Sequence, residues 1–460
     1  MEIYFAGAAR RVTGSCHLLR VNGRLIALDC GLFQGKRAAS DRANRRLPAP
    51  VSDIEAVVLS HAHIDHAGRL PFLVKEGFAG TIWATDATRD LCNFMLMDAA
   101  HIQQKDAEHL ERQGRPFVPP LYAARDVAAT MHRMVGAPYH QPLQVARGVT
   151  VTFLDAGHIL GSSSVVLDCE ESGVQRRVVF SGDIGRKGRA IVRDPEPPQA
   201  ADVVIMESTY GDREHPPVEN ERQRLGAIVR AAAQRGGRVL IPAFALGRTQ
   251  EIIYDLHLLT ESGAIPTIPI FIDSPLAVDA TSVFELHPEC FDRSEDIVRR
   301  VRELFRFGLL RYVRDVEDSK ALNSLNGPMV VIAASGMAES GRILHHLLHG
   351  ASDPRNVIVI VGFQAAHTLG RRIVERQPFI RVFGEEVPLR ASVEVLEGYS
   401  AHADRRELME WLATVRESSP RLRTVYLVHG EPPSQEALSA DLLAQGYQVR
   451  IPAEGDSATL

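Results

Sequence analysis

The sequence predicts an α/β protein in which a β-rich domain is interrupted by a parallel sheet flanked by helices. Three observations predict it. The chain opens with short alternating segments separated by glycine. From about residue 209 it changes to repeated strand–turn–helix units. From about residue 385 it returns to short strands.

The elements follow in order. "MEIYFAG", "SCHLLRV" and "RLIALDCG" read as short antiparallel strands. Ala56 to Leu59 reads as a buried strand running into the polar loop "SHAHIDHAG". Residues 86–133 read as mostly helical, broken at "GRPFVPPL". "VTVTFLDAGHILGSSSVVLDC" and "RRVVFSGDIG" again run from strand to polar loop, with a histidine or aspartate just past the strand end. Four units then alternate an apolar strand with a helical run: "RVLIPAFALGRTQEIIYDLHLL", "IPIFIDSPLAVDATSVFEL", "MVVIAASGMAESGRILHHLL" and "NVIVIVGFQAAHTLGRRIVE". Continuous apolar strands alternating with helices indicate a parallel sheet covered on its faces. "VPLRASVEVLEGYSAHAD" and "TVYLVHGE" close the chain with short strands.

Composition sets the outer bounds. At 460 residues the chain is long enough for two or three domains, and 45% hydrophobic residues supply a sizeable core. A net charge of −5 excludes a globally basic nucleic-acid binder, though not a local basic groove. No run of about 18 uninterrupted apolar residues suggests a membrane helix, so no membrane partner is expected. "MEIYFAGAAR" reads as the start of a strand and not as a signal peptide. The five cysteines are scattered, which reads as buried thiols in a reducing cytoplasm. The segment "GKRAASDRANRRLPAP" (35–50) reads as a basic loop, solvated or in contact with phosphate, with Lys36, Arg37, Arg42, Arg45 and Arg46.

The chemistry concentrates in "HAHIDH". Neutral imidazole and carboxylate are the ligands of zinc and similar divalent ions. His61 and His63 stand two apart, so an extended turn points both at one ion; Asp65 and His66 lie past a bend and can face a second. Two ions need more ligands. His158, Asp183 and His429 each follow a strand and are candidates.

These blocks resemble a known family. "HAHIDHAG" is similar to the HxHxDH signature of the metallo-β-lactamase fold. Asp29 in "ALDCG", His158 and Asp183 match its other motifs. Glu207 in "MESTYG", His402 in "YSAHAD" and His429 in "LVHGE" match the three motifs of its β-CASP branch, the RNA-processing nucleases, including bacterial and archaeal homologues of the polyadenylation-factor endonuclease. The resemblance spans nearly the whole chain, with the motifs in the family's order. It implies an αββα metallo-β-lactamase sandwich carrying an inserted β-CASP domain. The expected boundaries are 1–208 for the first part of the sandwich, 209–380 for the insert and 381–460 for the returning part.

The resemblance also implies two Zn2+ per chain. His61, His63 and His158 would hold one; Asp65, His66 and His429 the other; Asp183 would bridge them, and Asp29 would orient the ligands from behind. Asp65, Glu207 and His402 would carry the catalysis, with His402 as general acid kept protonated by Glu207. The expected activity is hydrolysis of RNA phosphodiester bonds, endonucleolytic on single-stranded RNA and with room for exonuclease action, leaving a 5′-phosphate and a 3′-hydroxyl. A homodimer is the expected assembly. The alternatives are a hydrolase of a small ester or phosphodiester on the same fold, a DNA nuclease of the same branch, and a catalytically dead scaffold subunit. Glu207, His402 and the complete ligand set count against the first and last; His429 counts against the second.

Softer expectations concern small-residue turns and arginines. "AASGM" and "GSSS" put backbone N–H groups at turns that can bind phosphate, and Ser335 is the residue selected. Arg248, Arg371 and Arg372 are candidate RNA-backbone contacts. His345, His346 and His349 read as an incidental surface cluster, with no carboxylate partner evident nearby. His367 stands where the family usually has a small residue, often glycine.

Overall fold

The computed structural model describes residues 1–35, 37–112, 114, 118–291, 303–362, 364–365, 367–422 and 424–460. The chain forms two compact units. One comprises residues 1–188, 192–214 and 402–460, the other 189–191 with 215–401.

The first unit contains two seven-stranded sheets. One has the order Ser457–Thr459, Glu2–Phe5, His17–Val21, Arg24–Leu28, Ile54–Val58, Thr81–Thr85, Met134–Ala137. The other runs Gln448–Arg450, Thr424–Val428, Val203–Glu207, Val174–Phe180, Ser163–Glu171, Val149–Asp155, Leu143–Ala146. Period-two alternation decides what each strand faces. Val178, Phe180, Ile205, Tyr426 and Val428 pack inward with Ile3, Phe5, Leu19, Ile26 and Leu28 of the first sheet. Their neighbours Val179, Val204, Met206, Val425 and Leu427 face out, against Leu408, Trp411 and Leu412 of helix Arg405–Glu417 and Leu438 and Leu442 of helix Pro432–Ala444. Helix Asp86–Arg112 packs on the first sheet and against helix Ala124–Met131. Helix, sheet, sheet and helix therefore stack as the αββα sandwich expected.

Strand direction explains where chemistry collects. Arg24–Leu28 and Ile54–Val58 are parallel neighbours. Val174–Phe180, Val203–Glu207 and Thr424–Val428 are also parallel. Val149–Asp155 runs the same way, because two antiparallel pairings separate it from Val174–Phe180. All these strands end on one edge of their sheet. The loops that carry the candidate ligands leave from those ends.

The second unit is built on a six-stranded sheet in which every pairing is parallel: Leu310–Tyr312, Ile270–Ile272, Met329–Ala333, Arg238–Pro242, Val357–Ile360, Ser392–Val395. The four strand–helix units of the sequence all join this sheet. The division differs from the sequence expectation slightly at its start, 215 against 209, and by more at its end. Ser392–Val395 pairs with Val357–Ile360. The hairpin Phe379–Val382 and Glu385–Pro388 buries Ile380, Val382 and Val387 in the same core. The unit therefore runs to Ala401 and not to 380.

Two local readings are corrected. Residues 37–44 form a helix and not a loop. Asn44 clamps the backbone of Phe33 through both amide atoms, at 2.8 and 3.0 Å, and Arg45 pairs with Asp41 one turn back. Lys36 lies outside the described residues, as does part of "GRPFVPPL". The second correction concerns "HHLLH". His346 is buried, and its Nε2 lies 2.7 Å from Asp273, which also accepts from Ser319 and Arg342. The partner was invisible in sequence because it sits 73 residues away, at the end of a neighbouring strand.

Among the described residues, no helix is long and apolar enough to cross a membrane. All five cysteines are buried and unbridged. His367 is exposed and has φ 71, a left-handed conformation that suits glycine. His367→Gly is expected to stabilise the fold by about 0.5–1 kcal/mol, read from the midpoint of urea unfolding. His17 is fully buried between the rings of Phe5 and Phe180, and neither ring nitrogen makes a hydrogen bond. Burial, helped by the charges of His66 and His429, lowers its pKa from 6.5 to about 3. The unfolded chain therefore takes up this proton first, and stability falls as pH drops from 6.5 toward 3. Between pH 7.5 and 5 this group costs about 2 kcal/mol, a loss that His17→Leu is expected to remove from the pH profile of unfolding.

Candidate metal centre

Each candidate side chain is delivered by a strand end. Asp29 follows Arg24–Leu28, and His61 comes three residues after Ile54–Val58. Asp65 and His66 lie on a single helical turn, Ile64–Ala67, which begins straight after His63. His158 and Asp183 each stand three residues past a strand; Glu207 ends its own strand; His429 directly follows Thr424–Val428. His402 is held by an isolated bridge to Gly185, and Ala403 N donates to Ile184 O at 2.7 Å.

The structure brings the ligand-type atoms together in three groups, each within 4.8 Å: His61, His63, His158 and Asp183; Asp65, His66 and His429; and Asp183, Glu207, His402 and His429. Asp183 belongs to the first and third groups, and His429 to the second and third. The Oδ2 of Asp183 lies 3.5 Å from His61 Nε2, 3.6 Å from His158 Nε2 and 3.3 Å from His66 Nε2; its Oδ1 lies 3.5 Å from His429 Nδ1. In the first group His63 Nδ1 stands 3.1 Å from His61 Nε2 and 3.2 Å from His158 Nε2. In the second, His429 Nε2 stands 3.3 Å from His66 Nε2 and 3.5 Å from Asp65 Oδ2.

Asp29 lies behind the ligands. Its Oδ2 accepts from Ser15 Oγ, Ser60 Oγ and His66 Nδ1, at 3.0, 3.0 and 2.7 Å; its Oδ1 accepts from Ser60 N. Two of these residues carry strain. Asp29 has φ 61 and His429 has φ 47. The backbone holds both: Asp29 N donates to Val58 O and His429 N to Ala8 O. Two close approaches also require glycine. A Cβ on Gly31 would lie 1.5 Å from Asp65 O, and one on Gly185 would lie 1.8 Å from Gly157 O.

The electrostatics fit a cation site. Burial, with the charge of His66 beside it, lowers His61 well below its ordinary range; burial and the charge of His402 do the same to His158. Burial also lowers His63 to about 4, against the pull of Asp65. These rings are neutral, the form that offers a lone pair to a metal. Burial opposes ionisation of Asp183, but His429, His66, His402 and His61 outweigh it and hold its carboxyl well below the usual range. Burial likewise opposes a charge on His66, but Asp183 and Asp29 raise its pKa well above the ordinary value. Carboxylates that favour a proton on that ring also favour a metal ion there. Asp183 Oδ1 is buried and accepts no hydrogen bond. Buried neutral imidazoles and ionised carboxylates at this spacing suit a zinc-type divalent ion.

Glu207 and His402 sit against this centre. His402 Nδ1 is 3.1 and 3.2 Å from the two oxygens of Glu207. Burial works against its charge, but Glu207 and Asp183 prevail and raise its pKa to about 9. Glu207 is fully buried; Ile184 N and Thr209 N donate to its two oxygens.

The softer candidates lie in the second unit. The Ser335 hydroxyl accepts from Glu339 N and Ser340 N within its own turn. Arg248 is buried and pairs with Glu251, which Arg189 also engages. Arg371 and Arg372 are exposed, the former paired with Glu375. In the first unit, the hydroxyls of "GSSS" are engaged internally: Ser162 accepts from His158 N and Ile159 N, Ser163 donates to Ser60 O and Ser164 to Ser181 O. They shape the loop that carries His158.

Reading by residue type missed three hydroxyls: Ser15, Ser60 and Thr209. Serine and threonine are too common to stand out, and only their position beside a ligand marked them. The glycine contacts generate one test. Gly185→Ala must push apart the backbones that carry His158 and His402. It is expected to cost more than about 2 kcal/mol in thermal unfolding, while Gly308→Ala, whose Cβ meets nothing within 4 Å, stays near neutral.

Comparison with known proteins agrees with this geometry. Residues 9–219 match the metallo-beta-lactamase superfamily, 249–373 the Beta-Casp domain, and 386–452 the Zn-dependent metallo-hydrolase RNA specificity domain. The chain is 40% identical over 459 residues to Ribonuclease TTHA0252 of Thermus thermophilus, covering 99% of each protein. It is 32% identical to Transcription termination factor FttA of Pyrococcus abyssi, over 99% of this chain and 70% of that one. It is 30% identical to Endoribonuclease YSH1 of Yarrowia lipolytica, over 95% of this chain and 51% of that one. A crystal structure of a protein of unknown function from Enterococcus faecalis V583 shares the fold, with a TM-score of 0.55 at 13% identity over 100% of this chain and 99% of the other. A histidine–aspartate cluster at the strand ends of an αββα sandwich, an inserted parallel-sheet unit and full-length identity of this order place the chain in the β-CASP branch of the metallo-β-lactamase superfamily.

Proposed function

We infer that this protein hydrolyses RNA phosphodiester bonds as a two-metal ribonuclease. The observation that carries the reading is Asp183, a buried carboxylate grouped with His61, His63 and His158 and lying 3.3 Å from His66 and 3.5 Å from His429, with Glu207 and His402 beside it. A ribonuclease relative that is 40% identical over 99% of both chains supports RNA as the substrate. His61, His63 and His158 would hold one zinc ion, Asp65, His66 and His429 the other, and Asp183 would touch both. Bound there, the ions supply Lewis acidity that activates water and offsets charge on the phosphate.

The chain's own residues do the rest. Asp65 and Asp183 bring negative charge that balances the cations. Asp29 fixes the His66 ring through Nδ1, leaving Nε2 toward Asp183 and free to serve as a ligand atom. Glu207 holds His402 by Nδ1, so Nε2 is the atom left to give a proton to the departing 3′-oxygen. A 5′-phosphate and a 3′-hydroxyl result. The reading extends to internal cuts in single-stranded RNA, with some exonuclease action, to a homodimer and to the cytoplasm, which five buried, unbridged cysteines support. Ser335 is read as a phosphate contact through the backbone of its turn. For Arg248, burial against Glu251 favours holding the start of its helix over touching RNA.

The direct test is incubation with end-labelled single-stranded RNA, with and without chelator. Internal products that vanish with chelator are expected, together with about two zinc per chain by elemental analysis. Full activity with no bound metal would sink the reading. His402→Ala should keep both ions and lose cleavage by about 100-fold or more; Asp183→Ala should lose metal as well. The pH profile supplies a third check. His402 acts in its protonated form, so cleavage holds at neutral pH and declines as pH rises through about 9. Glu207→Gln removes a carboxylate that stabilises that proton, so the decline should move to lower pH.

A further inference from the structure

We propose that Thr209 is a positioning residue that selects the tautomer of His429 and thereby sets the affinity of the Asp65–His66–His429 metal group; this rests on the ribonuclease reading above. Thr209 stands two residues past Glu207. Its Oγ1 donates to His429 O at 3.1 Å and lies 3.1 Å from His429 Nδ1. A hydroxyl carries one proton. With that proton directed to the carbonyl, the oxygen can only accept from the ring, so Nδ1 keeps its hydrogen and Nε2 keeps its lone pair. Nε2 is the nitrogen that faces Asp65 Oδ2 and His66 Nε2.

The backbone strengthens the case. His429 O also accepts from Ser208 N, and His429 adopts φ 47. The segment Ser208–Thr209 thus grips the residue at its carbonyl and its ring together. Both the hydroxyl and the ring are buried, so no solvent competes for Nδ1. The same device recurs in the other group. Ser60 Oγ donates to Asp29 Oδ2 at 3.0 Å and accepts from His61 Nδ1 at 3.1 Å, which leaves His61 Nε2 toward Asp183. Carboxylates or carbonyls commonly orient metal-bound histidines; here a hydroxyl, itself oriented by such an acceptor, stands between.

Thr209→Val keeps the shape and the backbone N–H donated to Glu207 but removes the relay. Thr209→Ser keeps the relay. The test is zinc titration of chelator-stripped full-length protein, together with 15N chemical shifts of the His429 ring in the stripped state. Thr209→Val is expected to weaken one of two zinc sites by about 10- to 100-fold, to leave the other unchanged, and to give mixed ring tautomers. Thr209→Ser should restore both readouts. In Thr209→Val, RNA cleavage should recover as zinc concentration is raised. Wild-type zinc affinity and ring shifts in Thr209→Val would overturn the assignment, as would equal weakening of both sites or failure of serine to restore them. Wild-type protein that binds no zinc would instead overturn the two-metal reading beneath it.

Discussion

The site depends on one buried carboxylate. Asp183 is 2% exposed and lies within 4 Å of ring nitrogens from His61, His66, His158, His402 and His429. An isolated ionised carboxylate does not stay buried without compensation. Here the raised His66 and His402 supply positive charge, the other rings stand close from neighbouring loops, and bound metal would supply charge more strongly still. The need to compensate that charge links the loops after Ile54–Val58, Val149–Asp155 and Thr424–Val428 to the segment that holds His402.

The sandwich makes this convergence affordable in geometric terms. The contributing strands are buried on their inner face and most on the outer face too, so their ends are fixed by packing before any ligand is added. Parallel direction within each sheet sends the ends to one edge. The close contacts of Gly31 with Asp65 and of Gly185 with Gly157 show how tightly the loops are then pressed together. Preorganisation of this kind lets a site hold its ligands with little rearrangement.

Much of this was legible in the chain. "HAHIDH" announced a metal loop because six positions held four ligand-type side chains. The four strand–helix units were legible because apolar runs alternated with helical ones, and all four entered the parallel sheet. The local misreadings have a common cause. A helix at 37–44 depends on Asn44 clamping Phe33. A buried His346 depends on Asp273. The end of the second unit at Ala401 depends on Ser392–Val395 pairing with a strand more than thirty positions earlier. Each is decided by a partner distant in sequence, and composition carries no record of it.

The sequence by itself determined the donor types, the order of the motifs and the alternation that makes strands and helices. Those follow from side-chain chemistry and local periodicity. Only the tertiary structure decided which nitrogen of each histidine faces inward, that Ser60 and Thr209 stand behind two of those rings, and that Asp183 belongs to two groups at once. The physical reason is directional: a hydrogen bond or a lone pair needs a partner at a defined distance and angle, and the partners here come from strands that meet only in the folded sheet edge.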